Sequence, residues 1–379
     1  ISAGFEITLL GNKIEAIDPL FQTKGLKGFD LSPANKTKAE VMEKLDIPVK
    51  IKDDDGNEET TIVEIRASFL PAKFARVDEN LPLIKDNISD RFAIIRDRDG
   101  IIVSREGREI TMINSVPRTV KWSHRKFQNY DRNWQIEINF PASLDEEFRV
   151  NTNKQRIVIS ERLWNILRDA GVDRMTKELY ARVIKSFAES KIESNDTNEE
   201  TENVKVSEKI MAEIEGIVRP RPAETEDPKA IEEAMDDLVK ERSNSKKKSL
   251  EEAKTEIEME FEKNPFKVEY KSTGVHSPFF DVSPLGDSKL VLVINKDHNF
   301  FSNVYANASN DVRSNLELLL FAIGKAKSTA RGTAKILYHT ELSEWSRWLQ
   351  SAIEVKSKYK EHKDEDELAV FLEANESKF

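Results

Sequence analysis

The sequence contains no cysteine. That removes disulfides, thiolate zinc sites, iron–sulfur clusters and cysteine nucleophiles together, and it suits a reducing compartment. No run of about 18 apolar residues occurs, so no segment reads as a membrane-spanning helix. Residues 1–10 lack a basic n-region and a small-residue cleavage site, and do not read as a signal peptide. The chain is expected to be soluble and cytoplasmic, with no membrane partner. Its glycines never fall into a GxGxxG or a GxxxxGKS/T pattern, so no phosphate-cradling loop is expected. The five histidines are scattered, without HExxH or a pair at helical ligand spacing, and no metal site is expected. No GxSxG elbow is present either. The sequence therefore carries no self-contained catalytic site.

What is present is enough for two or three folded domains. The chain has 379 residues, 38% hydrophobic and 34% charged, so real cores alternate with long solvated stretches. The formal net charge of −10 argues against whole-surface binding to DNA or to an acidic membrane. A local basic patch remains compatible with either.

The opening alternates from Phe5 to Leu10 and then turns at Gly11-Asn12, as a strand and hairpin would. A short helical piece is expected around Ala39 to Leu45, then an acidic turn at Asp53 to Gly56. Thr61 to Leu70 reads as a strand ending at Pro71. Arg91–Ile95 and Ile101–Ser104 flank Asp97-Arg98-Asp99-Gly100, which predicts a hairpin there. Trp134–Phe140 alternates cleanly, and a helix follows with Ser160 placed to cap it and Leu163, Ile166 and Leu167 on one face. Ser194 to Asn203 reads as loop or disorder, and Arg219-Pro-Arg-Pro222 as an extended break. Ile231, Met235 and Leu238, then Leu250, Ile257 and Phe261, recur at helical spacing among dense charges. They predict a long charged helix or a helical hairpin, either a solvated spacer or a coiled-coil-like arm. Leu290–Ile294 is a buried strand, and two further helices carry Leu316, Leu319, Leu320 and Ile323, then Trp345, Trp348 and Ile353. The fold class is α+β, in four segments: a junction at 1–58, a first domain at 59–188, a charged helical linker or arm at 189–265 and a second α+β domain at 266–379.

One phrase carries chemistry. Val150-Asn-Thr152-Asn153-Lys154-Gln155-Arg stands between the strand at 134–140 and the capped helix. With the hairpin Ile101-Ile-Val-Ser-Arg105-Glu-Gly107-Arg108-Glu-Ile110 before it and Asn12-Lys-Ile-Glu-Ala-Ile-Asp18-Pro-Leu20 earlier, the order resembles the transducer domain of GHKL ATPases, the MORC-like branch above all. The resemblance covers about the first half of the chain. It implies a β-α-β domain with a right-handed crossover, in which the lysine of the Thr-x-Asn-Lys-Gln phrase reaches back to the γ-phosphate of ATP. A pre-positioned ammonium there stabilises developing charge and makes the domain's position depend on the γ-phosphate. Lys154 takes that role, with Gln155 and Asn153 as supporting polar groups. The plain alternative is a solvated lysine in a strand–helix loop. The family's general base, Mg²⁺ ligand and glycine lid fall on no residue here. ATP and Mg²⁺ are therefore expected only through a nucleotide-binding domain outside this chain, and the chain is expected to form part of an ATPase rather than to turn over alone.

A second cluster interleaves basic and aromatic residues: Arg118, Lys121, Trp122, His124, Arg125, Lys126, Tyr130 and Arg132. It suits phosphate contacts and base stacking. The alternative is an excursion whose charges are solvated and whose tryptophan packs down. Asn295-Lys296-Asp297-His298 and His276 read as turn residues, with Phe300 and Phe301 in the core. The helix face from Leu316 to Ile323 is core or a dimer surface. The function expected from all this is the energy-coupling and output part of a homodimeric ATP-driven clamp acting on DNA. A non-enzymatic protein-interaction scaffold and a chaperone-like ATPase acting on a protein client stand as alternatives.

Overall fold

The computed structural model describes residues 7–29, 37–52, 58–78, 85–127, 129–149, 157–198, 205–215, 228–286 and 289–375. It divides into two compact units, Ile1–Ser190 and Lys191–Phe379, both built of strands and helices. The architecture is α+β: a β-rich beginning, a helical stretch, then a second α+β region.

Unit 1 opens with a small hairpin, β1 (Thr8–Leu9) and β2 (Asn12–Lys13). Its main sheet comprises β3 (Glu40–Val41), β4 (Leu45–Lys52), β5 (Glu58–Phe69), β6 (Ile101–Arg105), β7 (Arg108–Ile113) and β8 (Trp134–Phe140). The order is β3-β5-β8-β6-β7, and β4 shares with β3 the edge of β5 away from β8. The period-2 pattern places Val63, Ile65, Ala67 and Phe69 of β5 and Trp134, Ile136, Ile138 and Phe140 of β8 in one core. Two helices cover that face, α2 (Glu161–Asp169) and α3 (Val172–Asn198), with Leu163, Trp164, Leu167, Leu179 and Val183 buried in the same core; they follow a short α1 (Asp90–Ile95). Ser160 caps α2 as its position predicts, accepting from the Leu163 N–H at 3.1 Å. Of the three residues expected on its buried face, Leu163 and Leu167 are fully buried and Ile166 only partly.

Several expectations need correction. Residues 90–95 are helical and form no arm of a hairpin, whereas the hairpin read at Ile101–Ile110 is present: β6 and β7 pair through Glu106-Gly107, a type I′ turn with φ of 49° and 77°. Residues 40–41 form a strand where a helical piece is expected, because β5 offers a free edge: the Met42 N–H donates to the Ala67 carbonyl at 2.9 Å. Helix α3 runs on to Asn198, past the expected loop start at Ser194; extending a helix is cheap once it is nucleated. The one parallel neighbour pair described in this sheet, β6 and β8, is joined through β7 and residues 114–133 rather than through a helix, so it is not a β-α-β unit.

In unit 2, α4 (Val206–Glu215), α5 (Pro228–Lys246) and α6 (Leu250–Lys263) precede β9 (Phe266–Lys271), β10 (Phe280–Gly286) and β11 (Lys289–Asn295). After the strands come α7 (Asn310–Ser328) and α8 (Thr333–Asn375). The sheet order is β10-β11-β9, with β11 central, parallel to β9 and buried from Leu290 to Ile294. The charged helices α5 and α6 form a helical hairpin rather than a solvated spacer. Their Leu238, Val239, Ala253, Ile257 and Phe261 pack with Val291 and Val293 of β11 in one core. Helix α7 lies on the opposite face and buries Leu320, Phe321 and Gly324, while Leu319 of the expected face is 55% exposed. Among the described residues, no helix is long and apolar enough to cross a membrane.

Candidate nucleic-acid interface

The basic cluster lies on the excursion between β7 and β8. Its stem is closed by backbone pairing: the Val116 N–H donates to the Arg125 carbonyl at 2.8 Å, and the Phe127 N–H to Asn114 at 2.9 Å. Between these, Val116, Val120, Trp122 and Phe127 turn into the core, so the residues alternating with them face outward. Trp122 packs edge-on against Trp164 at 5.3 Å, and its Nε1–H donates to Thr176 Oγ1 at 3.2 Å. It is 7% exposed, so the base-stacking role that the sequence allows it is closed; the ring packs down.

The first turn of α3 holds the loop in place. The Ser123 N–H and hydroxyl donate to the two oxygens of Asp173 at 2.7 and 2.9 Å. His124 stacks on Tyr180 at 4.2 Å and hydrogen-bonds Asp131 Oδ1 at 2.7 Å, an oxygen that also accepts from Trp134 Nε1 at 2.9 Å. Asp131 is 2% exposed, so this pair works as an anchor inside the aromatic core rather than as an open acid–base site.

What remains outside is an open concavity of about 850 Å³ with Arg118, Lys121 and Arg125 on its wall. Lys126, half-buried, is not part of that lining; its backbone pairs with Ser115 at the stem. The concavity gains a cation that the sequence reading does not include, Arg168, from the last turn of α2. The only sequence signal for it is a basic residue at a helix C-terminus, which the helix dipole already accounts for. Arg168 pairs with Asp169 at 2.8 Å, and the Asp173 carboxylate is taken up by Ser123. Arg118, Lys121 and Arg125 line this wall from one loop, and cationic side chains of this kind suit backbone phosphates rather than base edges.

The other candidate residues divide cleanly. Asn153, Lys154 and Gln155 lie in 150–156, outside the described residues. Asn295 is buried at the end of β11, and its amide donates to the carbonyls of Gly274, Ser277 and Pro278 while its oxygen accepts from Thr273 and Asp297. That makes it the fastener of the 272–278 loop, and His276 is exposed on that loop. His298 accepts from the Phe300 N–H at Nδ1 and donates from Nε2 to the Ser346 carbonyl at 3.1 Å. Burial pushes its imidazole below the ordinary value of 6.5. Phe300 and Phe301 are buried, as expected of turn-and-core residues. Among the described residues no three His, Asp or Glu side chains gather as a metal site would require. Comparison of the chain with family models, with curated proteins and with solved structures returns no match.

Proposed function

We propose that this chain is the transducer and output region of a GHKL-type, ATP-driven dimeric machine that acts on DNA. In this reading Lys154, supported by Gln155 and Asn153, meets the γ-phosphate of ATP held with Mg²⁺ in a nucleotide-binding domain. Loss of that phosphate moves the transducer. The observation that carries the reading is an order of elements: the β6–β7 hairpin, the strand β8, the Thr152-Asn153-Lys154-Gln155 phrase, then a helix capped by Ser160. The Arg118, Lys121 and Arg125 surface supports DNA as the client. The apolar stripe of α8, with Leu337, Trp345, Trp348 and Val355 between 41% and 71% exposed, supports a homodimer.

The test is ATP turnover by the complete gene product, wild type against Lys154→Ala, with ATP binding measured in parallel. A loss of about 10²-fold in turnover with binding retained is the expected result. Unchanged turnover removes Lys154 from the chemistry. A second reading, a protein-interaction scaffold without an ATPase partner, draws on the same α8 stripe. It takes the lead if the complete product neither hydrolyses ATP nor binds DNA.

A further inference from the structure

Unit 2 buries a cation without an anion. Arg313, in the first turn of α7, is 8% exposed, and its Nε donates to the Ala308 carbonyl at 3.2 Å. Its two terminal nitrogens have no acceptor among the described residues, and no carboxylate there stands within ion-pair distance of it. Neither terminal nitrogen is sealed from solvent, so both donors open on the cavity that the side chain lines, and an anion entering there could take them.

The guanidinium lines a cavity of about 400 Å³ together with Lys205, Tyr305, Asn310, Ser314 and Glu317. Glu317 is already spoken for. One of its oxygens accepts from the Tyr305 hydroxyl and the other from Ser207, and the Lys205 ammonium stands 3.9 Å away. Lys205 in turn donates to the Tyr270 hydroxyl and lies 4.4 Å over its ring, and Tyr270 and Tyr305 share a 2.8 Å hydrogen bond. Lys205 and Glu317 thus lie within reach of each other, and Arg313 pairs with neither. Asp311, also on the wall, is exposed.

A second feature points the same way. The 19-residue α7 begins at this cavity, and its N-cap residue Ser309 makes no side-chain hydrogen bond to the first turn. Asn310 and Asp311 of the first turn line the cavity, so the start of the helix, with Asp311 as its acidic residue, borders the same space as the guanidinium.

We propose that this cavity binds a small oxyanion, the phosphate or carboxylate group of a ligand, with the Arg313 fork taking two of its oxygens beside the start of α7. A bidentate guanidinium contact supplies the missing countercharge and uses both idle nitrogens. The volume is that of a small-molecule site, larger than a bare ion needs, so the anion is one end of its ligand. This site stands on unit 2 alone and does not depend on the transducer reading.

The experiment is calorimetric titration of the full 379-residue chain with inorganic phosphate and, separately, with acetate. Saturable binding of one equivalent is expected for at least one of them; phosphate alone identifies a phosphorylated ligand, and acetate a carboxylate. Arg313→Gln should weaken that binding about 100-fold, two charge-assisted hydrogen bonds being lost. Ser314→Asp, at a half-buried wall position, brings a carboxylate to the guanidinium and should abolish binding while leaving the fold intact. It also decides the matter if Arg313→Gln does not fold. The proposal is overturned if neither anion binds saturably at up to about 10 mM. It is equally overturned if binding survives in Ser314→Asp or in folded Arg313→Gln.

Discussion

Gly324 sits in the middle of α7, where replacing glycine by alanine normally stabilises a helix by about 1 kcal/mol. Here the sign should reverse. A Cβ at Gly324 would lie 2.2 Å from Val282 Cγ1, 3.3 Å from its Cβ and 3.4 Å from its Cγ2. Carbon atoms in contact need about 3.5–4.0 Å, so the first distance is short by more than 1 Å. Val282 cannot give way easily: its branched side chain is stiff, and its backbone is paired with Leu292 in the sheet. The helix must lift or the valine must leave its rotamer, which costs about 3 kcal/mol at the upper end of overpacking effects. Set against the propensity gain, Gly324→Ala should destabilise unit 2 by about 2 kcal/mol. Urea unfolding followed by hydrogen exchange in peptides from α7 and β10 reads this unit alone. Val282→Ala removes the two offending methyl groups and should restore most of the loss in the double variant, a favourable coupling of about 2 kcal/mol. If Gly324→Ala instead stabilises unit 2, or if the two substitutions are simply additive, α7 does not approach β10 as described.

Three further outcomes follow from the structure. Changing Arg118, Lys121 and Arg125 together to alanine should lower the salt slope of DNA binding by about 2.7, three phosphate contacts at about 0.9 each, whereas Lys126→Ala alone should leave it unchanged. A triple variant with the wild-type slope removes DNA from this concavity. Ser160→Ala deletes the acceptor for the Leu163 N–H and the hydroxyl held by Glu147, and should cost unit 1 about 1 kcal/mol, with Ser160→Thr, which keeps both the acceptor and the donor, recovering the cap by thermal melting. His298 is held below 6.5 by burial, so between its folded-state value and 6.5 the unfolded chain binds more protons. The stability of unit 2 should then rise with pH across that window and level off above about 6.5. An imidazole that titrates above 6.5 in an NMR titration of the folded chain would contradict this account.

Strong local patterns were readable from the residues alone. The alternation of Trp134–Phe140, the apolar run Leu290–Ile294 and the cap at Ser160 each encode their structure within a few neighbours. Arg91–Ile95 did not, because five residues are too short a window to separate a strand from a turn of helix. Its helix is held by contacts far along the chain: Arg91 reaches the Thr37 carbonyl and lies over the Phe74 ring, and Ile95 joins a small core with Phe21 and Leu70. Residues 40–41 pair because β5 needed an edge partner, a demand that appears nowhere in their own sequence. The basic surface shows the same division. Lys121 and Arg125 were legible as a cluster, but that Trp122 would point inward depended on Trp164 and Thr176, and Arg168 entered only through the packing of α2. The cavity beside α7 was invisible, since Lys205 and Arg313 are separated by more than a hundred residues of chain and nothing marks Arg313 as buried.

The excursion carrying the basic residues is a loop by position, yet it lacks the freedom of one. Surface loops ordinarily absorb insertions and deletions. This one is stitched at Val116–Arg125 and Asn114–Phe127, seated by Val120 and Trp122, and tied to α3 at Ser123. Adding or removing a single residue between Val116 and Phe127 would put either an apolar side chain in water or a cation in the core. The length of the segment is therefore under as tight a constraint as any strand of the sheet, and variation in charge can be tolerated there only by exchange at the outward positions, one side chain for another.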